Sequence, residues 1–170
     1  MSSSVQKVIG TKSGSESQIL AVGSYRPKRL VPNSEIVDRI ESSDEWIQQR
    51  TGIRTRHRAE ADESLIDMAV AASKIAIERS GINVSEIDTV IFSTITYPYQ
   101  APSAATELIT RLGNVKAAAF DIGAACAGFS YALGIASDLV RNRTAKYVLV
   151  IGGEKLSATT LAHAREMLTK

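Results

Sequence analysis

The chemistry in this sequence centres on Cys126, its single cysteine, which sits in Asp121-Ile122-Gly123-Ala124-Ala125-Cys126-Ala127-Gly128-Phe129. The pattern reads as a strand passing through small residues into a helix, with the cysteine in the helix's first turn. A helix N-terminus presents unpaired N–H groups and about half a positive charge, which favours thiolate over thiol. Small neighbours let a substrate approach closely. A free cysteine is also among the most buried residue types and commonly serves as a small hydrophobe. The local sequence leaves both roles open.

Trp46 and Arg50 lie four apart and so share a helix face. Indole and guanidinium suit a flat, anionic ligand, although a tryptophan that packs its helix and an arginine on a solvated face fit the spacing as well. Arg54, Arg56, His57 and Arg58 form a basic cluster just beyond them. It reads either as a patch that steers phosphates or an acidic partner, or as an ordinary solvated loop. Nothing places His57 near Cys126, and the helical surroundings of His163 predict an exposed side chain. One cysteine and two separated histidines make no plausible metal site. Gly-x-Gly-x-x-Gly and the phosphate-loop pattern are both absent, which argues against a nucleotide-binding domain.

The elements that must position these residues follow from periodicity. Ile19-Leu20-Ala21-Val22-Gly23 is expected as a strand stopped at Pro27, and a helix is expected from Asn33 or Ser34. Ser42-x-x-Glu45 has the form of a capping box opening a short helix through Trp46, with Gly52 to end it. Leu65, Met68, Ala69, Ala72, Ile75 and Ala76 mark an amphipathic helix between Glu63 and Ser80, capped by Gly81. Strands are predicted at 88–96, 117–122 and 147–151, and helices at 103–112 and 126–142. The last of these is expected to bury Phe129, Leu133, Ala136 and Val140. Alternating strands and helices, with strands apolar on both faces, imply an α/β fold with a mixed, mostly parallel sheet covered by helices on both faces.

Within 170 residues, 44% hydrophobic and 22% charged side chains match one globular domain with a real core. Twenty basic against eighteen acidic residues provide no field that would make nucleic acid the main partner. A lone cysteine excludes an internal disulfide, and no apolar run approaches the roughly 20 residues of a membrane-spanning helix. A cytoplasmic location away from membranes is therefore expected. Residues 1–17 read as a flexible leader, 18–158 as the ordered domain, and 159–170 as an atypical, helical-looking segment.

The run Ala124 to Phe129, continued by Ser130-Tyr131-Ala132-Leu133, resembles the nucleophile segment of the β-ketoacyl-acyl carrier protein synthase III family, condensing enzymes of the thiolase superfamily. Asp44-Glu45-Trp46-Ile47 with Arg50-Thr51-Gly52-Ile53 resembles the family's signature near the mouth of its pantetheine tunnel. Gly153-Glu154-Lys155-Leu156-Ser157 resembles the segment after the fourth strand of its first half. The resemblance covers residues 18 to 158 and implies the N-terminal half of a thiolase-like fold.

It also implies that Cys126 takes an acyl group from acyl-CoA, a substrate rather than a resident cofactor, before decarboxylative condensation with malonyl-acyl carrier protein. Trp46 would stack on the adenine of CoA, and Arg50 would pair with the nucleotide. Tyr97 to Ala105 resembles a loop that in family dimers reaches the partner's acyl pocket. There Ala101, just before Pro102-Ser103-Ala104-Ala105, would stand at the position that limits acyl length, so a small residue there implies longer or branched primers. Arg54, Arg56 and Arg58 would meet CoA or the carrier protein. The family's histidine and asparagine lie in the second half of its members, so a homodimer or a complementary C-terminal half is an expected partner. A half that binds acyl-CoA or carrier protein, or serves only in assembly, is the non-catalytic alternative.

Overall fold

A computed structural model of the chain describes residues 17–37 and 42–156. The leader as far as residue 16, His163 and the helix expected near the C-terminus lie outside them.

A parallel sheet of order β4-β3-β5 forms the centre, with β3 spanning Thr89–Ser93, β4 Ala118–Ile122 and β5 Val148–Gly152. Every residue of β3 is buried, as a central strand covered on both faces must be. Strand periodicity sends Val90 and Phe92 one way and Ile91 the other. Val90 and Phe92 join Leu65, Ile66, Ala69, Ala104, Ala105, Leu108 and Ile109 from α3 (Leu65–Ser80) and α4 (Ala104–Arg111). Ile91 meets Ala132 and Ala136 of α5 (Gly128–Arg141) on the opposite face. Each such fully buried large side chain contributes about 1.5–3 kcal/mol.

The chain steps from β3 to its neighbour β4 through α4, then back across β3 to β5 through α5. Right-handed crossovers in opposite directions put α4 and α5 on opposite faces. The loops after β3 and β4 therefore part company at the C-terminal ends of two adjacent strands, the place where open α/β sheets hold their ligands.

A separate antiparallel ribbon pairs β1 (Arg29–Pro32) with β2 (Thr55–Arg58). The stretch joining them carries the described turn α1 (Ser34–Val37) and α2 (Asp44–Thr51). The basic cluster has two readings, a steering patch or a solvated loop; the loop is corrected for Arg56, His57 and Arg58, which belong to this ribbon. Two short runs 26 residues apart in sequence, each with charged or proline residues, carry no strand periodicity of their own; pairing makes them strands.

Four further expectations are corrected. No strand forms at 19–23 among the described residues: the Val22 carbonyl accepts from Arg79 Nη1 at 2.9 Å, and Gly23 lies so close to α3 that a Cβ would stand 2.1 Å from the Ala72 carbonyl oxygen. The helix through Trp46 is capped by Ser43, not by a Ser42–Glu45 box, since the Ser43 hydroxyl accepts from the Trp46 N–H at 3.1 Å. The segment at 126 opens as a 3-10 turn over Ala125–Ala127, and α5 proper begins only at Gly128. Finally, α5 buries Gly128, Ala132 and Ala136, while Phe129 and Leu133 are 45% and 36% exposed. Small side chains face the sheet because they let the helix backbone approach it closely.

The expected ends at Gly52 and Gly81 are both present, each with φ of 71°. The start of α3 carries a capping box unannounced by the apolar stripe: Ser64 Oγ accepts from Asp67 N–H at 3.1 Å, and Asp67 Oδ2 accepts from Ser64 N–H at 2.8 Å. Asp67 also accepts from Arg111 Nη2 at 2.6 Å, joining α3 to α4. These bonds, that with the Ser64 side chain foremost, hold its carboxyl at about 2 instead of 3.8. A depressed folded-state value means that the stabilisation is complete above about pH 4 and drains away as pH falls toward about 2. Asp67→Asn is expected to flatten the pH dependence of Tm across that window, read by thermal denaturation at stepped pH. An unchanged slope would show that other carboxylates govern acid unfolding.

Candidate active site

Strand β4 delivers the nucleophile segment. Beyond Ile122, whose partner in the sheet is Ser93 at the end of β3, the backbone turns through Gly123 and Ala124 to Ala125 at φ 45°. A left-handed conformation costs a side-chain-bearing residue about 1–2 kcal/mol. Arg143, the other non-glycine at positive φ among the described residues, sits just past the end of α5, where such a conformation is a usual helix stop. Ala125 has no such excuse; its strain turns the chain sharply at the point where Cys126 emerges. Strain of this kind persists where the surrounding structure enforces it, and it concentrates at functional sites.

Cys126 is exposed, which removes its reading as a buried small hydrophobe. Neither the 3-10 turn nor α5 has a side-chain cap at its start. The first N–H groups of α5 are therefore free of a competing side-chain acceptor beside the thiol. Gly128 fixes how close this helix start comes to the sheet: a Cβ there would lie 2.1 Å from Ser93 Oγ and 3.3 Å from Ser93 Cβ. Glycine thus lets α5 begin directly over the end of β3.

The loop that leaves β3 runs over residues 94–103 and carries Ala101 and Pro102, both exposed, with a cis peptide between them. Ser103 caps α4, its hydroxyl accepting from the Thr106 N–H at 3.2 Å. Tyr97 stands edge-on to Tyr99 with ring centroids 5.7 Å apart and donates to Glu107 Oε2 at 2.6 Å. Burial, then the Glu107 bond, pushes the Tyr97 hydroxyl up to about 12, so it remains a proton donor at neutral pH. Cys126 and Ala101 are thus carried by the two loops that diverge from the adjacent ends of β4 and β3.

Trp46 and Arg50 stand together on α2, with the Arg50 Cζ 5.7 Å from the indole centroid. Trp46 is 55% exposed, and Ile47 is the residue by which α2 packs, so the tryptophan does not serve the core. The helix is anchored through Asn33, which is 1% exposed. Its Nδ2 donates to Asp44 Oδ1 at 2.6 Å and to the Ile53 carbonyl at 2.8 Å, while its Oδ1 accepts from Arg56 Nη1 at 2.6 Å. Bonds from Gln48 and then Asn33 hold the Asp44 carboxyl below its usual range.

The basic cluster accordingly divides. Arg56 is tied into the structure through Asn33, and His57 Nδ1 meets the Pro27 carbonyl. Arg54 is exposed, and Arg58 is half-buried and lines a cleft of about 500 Å³ with His57, Leu65, Met68 and Gly153 to Leu156. Cys126, Trp46 and Ala101 do not line that cleft.

Sequence reasoning gave no role to Asn33, Ser93, Asp121 or Glu154. The available signal was a polar residue inside an otherwise apolar strand for Ser93 and Asp121, and a carboxylate in a quoted motif for Glu154. Asn33 carried only its place before a helix.

Residues 120–168 match the family model described as 3-Oxoacyl-[acyl-carrier-protein (ACP)] synthase III, a match that includes Cys126 and runs into the segment expected to be atypical. The chain is 49% identical over 150 residues to the β-ketoacyl-[acyl-carrier-protein] synthase III of Kocuria rhizophila, covering 88% of this chain and 42% of that protein. Against synthase III 1 of Streptomyces coelicolor the identity is 49% over 156 residues, covering 92% and 46%. Among solved structures, the priming β-ketosynthase of the R1128 polyketide biosynthetic pathway superposes with a TM-score of 0.79 at 43% identity, covering 85% of this chain and 43% of that one. The Aquifex aeolicus 3-oxoacyl-[acyl-carrier-protein] synthase III gives a TM-score of 0.79 at 40% identity, covering 83% and 46%. The chain thus spans somewhat less than half the length of these relatives.

Proposed function

Since this chain is the counterpart of about half of a β-ketoacyl-[acyl-carrier-protein] synthase III, with its α/β thiolase-like fold, we propose that it supplies the acyl-accepting half of such an enzyme. The observation that carries this reading is the exposed Cys126 on a strained turn between a parallel strand and an uncapped helix.

In the proposed reaction the Cys126 thiolate attacks the thioester carbonyl of acyl-CoA. The tetrahedral oxyanion collapses, the CoA thiolate leaves, and the acyl group remains on Sγ. Malonyl-acyl carrier protein then loses carbon dioxide, and its carbanion attacks the acyl-cysteine carbonyl, releasing the thiolate and a β-ketoacyl thioester. Covalent catalysis divides one hard step into two. The Cys126 N–H serves as an oxyanion donor. Trp46 and Arg50 hold the CoA nucleotide by stacking and ion pairing, with Arg54 and Arg58 adding positive charge for CoA or the carrier protein. Arg56 contributes less, because its guanidinium already serves Asn33. CoA arrives and leaves as substrate, and the reading requires no resident cofactor or metal.

Partner and location follow from the same reading. Along α5, Phe129 and Leu133 on one flank and Tyr131 and Ile135 on the other are 45%, 36%, 60% and 39% exposed, apolar surface on both sides of the buried Gly128, Ala132 and Ala136 that a complementary half or second copy would cover. No helix among the described residues is long and apolar enough to cross a membrane, and a cytoplasmic enzyme is the proposed setting. The same apolar surface would also suit a half-domain that serves only in assembly, without chemistry.

Intact mass spectrometry after incubation with acetyl-CoA and longer acyl-CoAs separates the two. One acyl increment, mapped to the Cys126 peptide, is expected; a folded chain that gains none would leave assembly as its role. Ala101 supplies the next test. Ala101→Phe fills the space assigned to a long or branched primer, and its preference for long over acetyl primers is expected to fall by about tenfold or more, the discrimination a few methylenes command. A profile that stayed in favour of long primers would take the length-limiting role from this position.

A further inference from the structure

We propose that Asp121 and Glu154 are positioning residues that clamp the loop at 94–103 from both ends, and thereby set the primer lengths accepted at Cys126 of the second copy that the loop reaches in a dimer. The proposal rests on the acyl-transfer reading above and adds to it the device that fixes Ala101.

At the loop's exit, the carboxylate of Asp121 on β4 accepts from two successive backbone donors of α4: Ala104 N–H at 2.8 Å through Oδ2 and Ala105 N–H at 2.8 Å through Oδ1. Ala104 and Ala105 are fully buried, so these donors have no water to replace the carboxylate. The helix N-terminus attached to the loop is thereby held by a charged side chain on the very strand that leads, five residues later, to Cys126.

The loop's entry is held from the other side. Glu154, just beyond β5, accepts from Thr94 Oγ1 at 3.0 Å and Ile95 N–H at 2.9 Å, and also from Thr96 Oγ1. Lys155 N–H in turn donates to Thr96 Oγ1 at 2.9 Å, while the Thr94 N–H donates to the Ile122 carbonyl at 3.2 Å. Lys155 Nζ reaches across to the Glu60 and Glu63 carbonyls at 2.8 and 2.6 Å, anchoring the Glu154 segment itself.

Between these anchors the backbone of residues 97–102 has no other strand or helix of its own, and Ala101 lies near its far end. Asp121 on β4 and Glu154 just beyond β5, with the Tyr97–Glu107 bond between them, thus replace a rigid element as the support of the specificity residue. Charge-assisted bonds to backbone N–H groups are about twice as strong as neutral ones, which suits them to that task. A side chain whose position limits acyl length discriminates only as sharply as its backbone is held.

The test uses the 170-residue chain and two readouts. Asp121→Asn keeps the shape but sets an amide N–H₂ against a backbone donor; amide exchange at Ala104 and Ala105 is expected to accelerate about tenfold or more, the equivalent of one charge-assisted bond. Acyl loading on Cys126, followed by mass spectrometry across a series of acyl-CoA lengths, is expected to show a flattened profile, with long-to-short selectivity falling about tenfold, while total loading persists. Glu154→Gln should flatten the same profile from the entry side and provides the test if the Asp121 variant fails to fold. Faster exchange with an unchanged length profile would overturn the proposal and leave both carboxylates a purely structural role. If the unaltered chain takes no acyl group at all, the acyl-transfer reading fails instead, while exchange at Ala104 and Ala105 still tests the clamp at its exit.

Discussion

Cys126→Ser, in the chain completed to the length of its relatives, is expected to lower condensation by about a thousandfold or more, because the covalent step has no other side chain to carry it. The serine hydroxyl is close in size to the thiol but ionises far less readily. In the 170-residue chain, where Cys126 is exposed, the substitution opens no core cavity, and the stability of that chain is expected to stay within about 0.5 kcal/mol of the original. Parallel assays of turnover, acyl adduct and Tm separate the chemistry from the fold. An acyl adduct in the serine variant that mapped to a peptide other than that of position 126 would move the nucleophile elsewhere; a variant that lost turnover together with Tm would make Cys126 structural.

The second large effect is expected at Gly128, two residues away and chemically silent. A β-carbon there must displace Ser93, whose Oγ would lie 2.1 Å from it and whose Cβ would lie 3.3 Å from it. The hydroxyl can rotate away, but Ser93 Cβ belongs to the end of a fully buried strand. Overpacking of this kind costs typically about 1–3 kcal/mol. The start of α5 would be pushed off the sheet, carrying the Cys126 turn with it, and a shift near 1 Å can cost about a hundredfold in rate. Gly128→Ala is therefore expected to lower both Tm and the rate of acyl loading. Gly128→Val should do so more severely. A Ser93→Gly change in the Gly128→Ala background removes both clashing atoms and is expected to restore most of the loading rate. An unrescued double variant would mean that Gly128 acts through some other contact.

Both expectations rest on a residue type that the sequence displayed openly, but only one of the two reasons was legible there. The thiol's place at a strand-to-helix junction follows from local pattern, apolar strand, small residues, amphipathic helix, while its exposure was settled by the structure. The need for glycine at 128 follows from Ser93, thirty-five positions earlier, and no local pattern reports it. Asp121 and Glu154 repeat the lesson. Each stood in a segment already singled out, yet their partners at 94–96 and 104–105 belong to another loop and to the start of α4, brought in only when β3 takes its place between β4 and β5.

The sequence by itself determined the α/β class, the strands near 89–93, 118–122 and 148–152, the helix at 65–80 with its glycine stop, and the candidate nucleophile. All of these depend on contacts within one segment, and hydrophobic periodicity, caps and turn residues express such contacts directly. Tertiary structure decided what depends on partners distant in the chain. It made a β-ribbon of 29–32 and 55–58, since a short charged strand is stabilised only by the strand beside it. It left 19–23 without a strand, because Gly23 lies against α3 and the Val22 carbonyl is taken by Arg79. Most tellingly, it chose which side of α5 faces inward. Periodicity sees apolar residues on two sides of that helix and favours the bulky stripe of Phe129 and Leu133. Packing selects Gly128, Ala132 and Ala136, because only small side chains let the helix close on a sheet whose central strand is buried to the last residue.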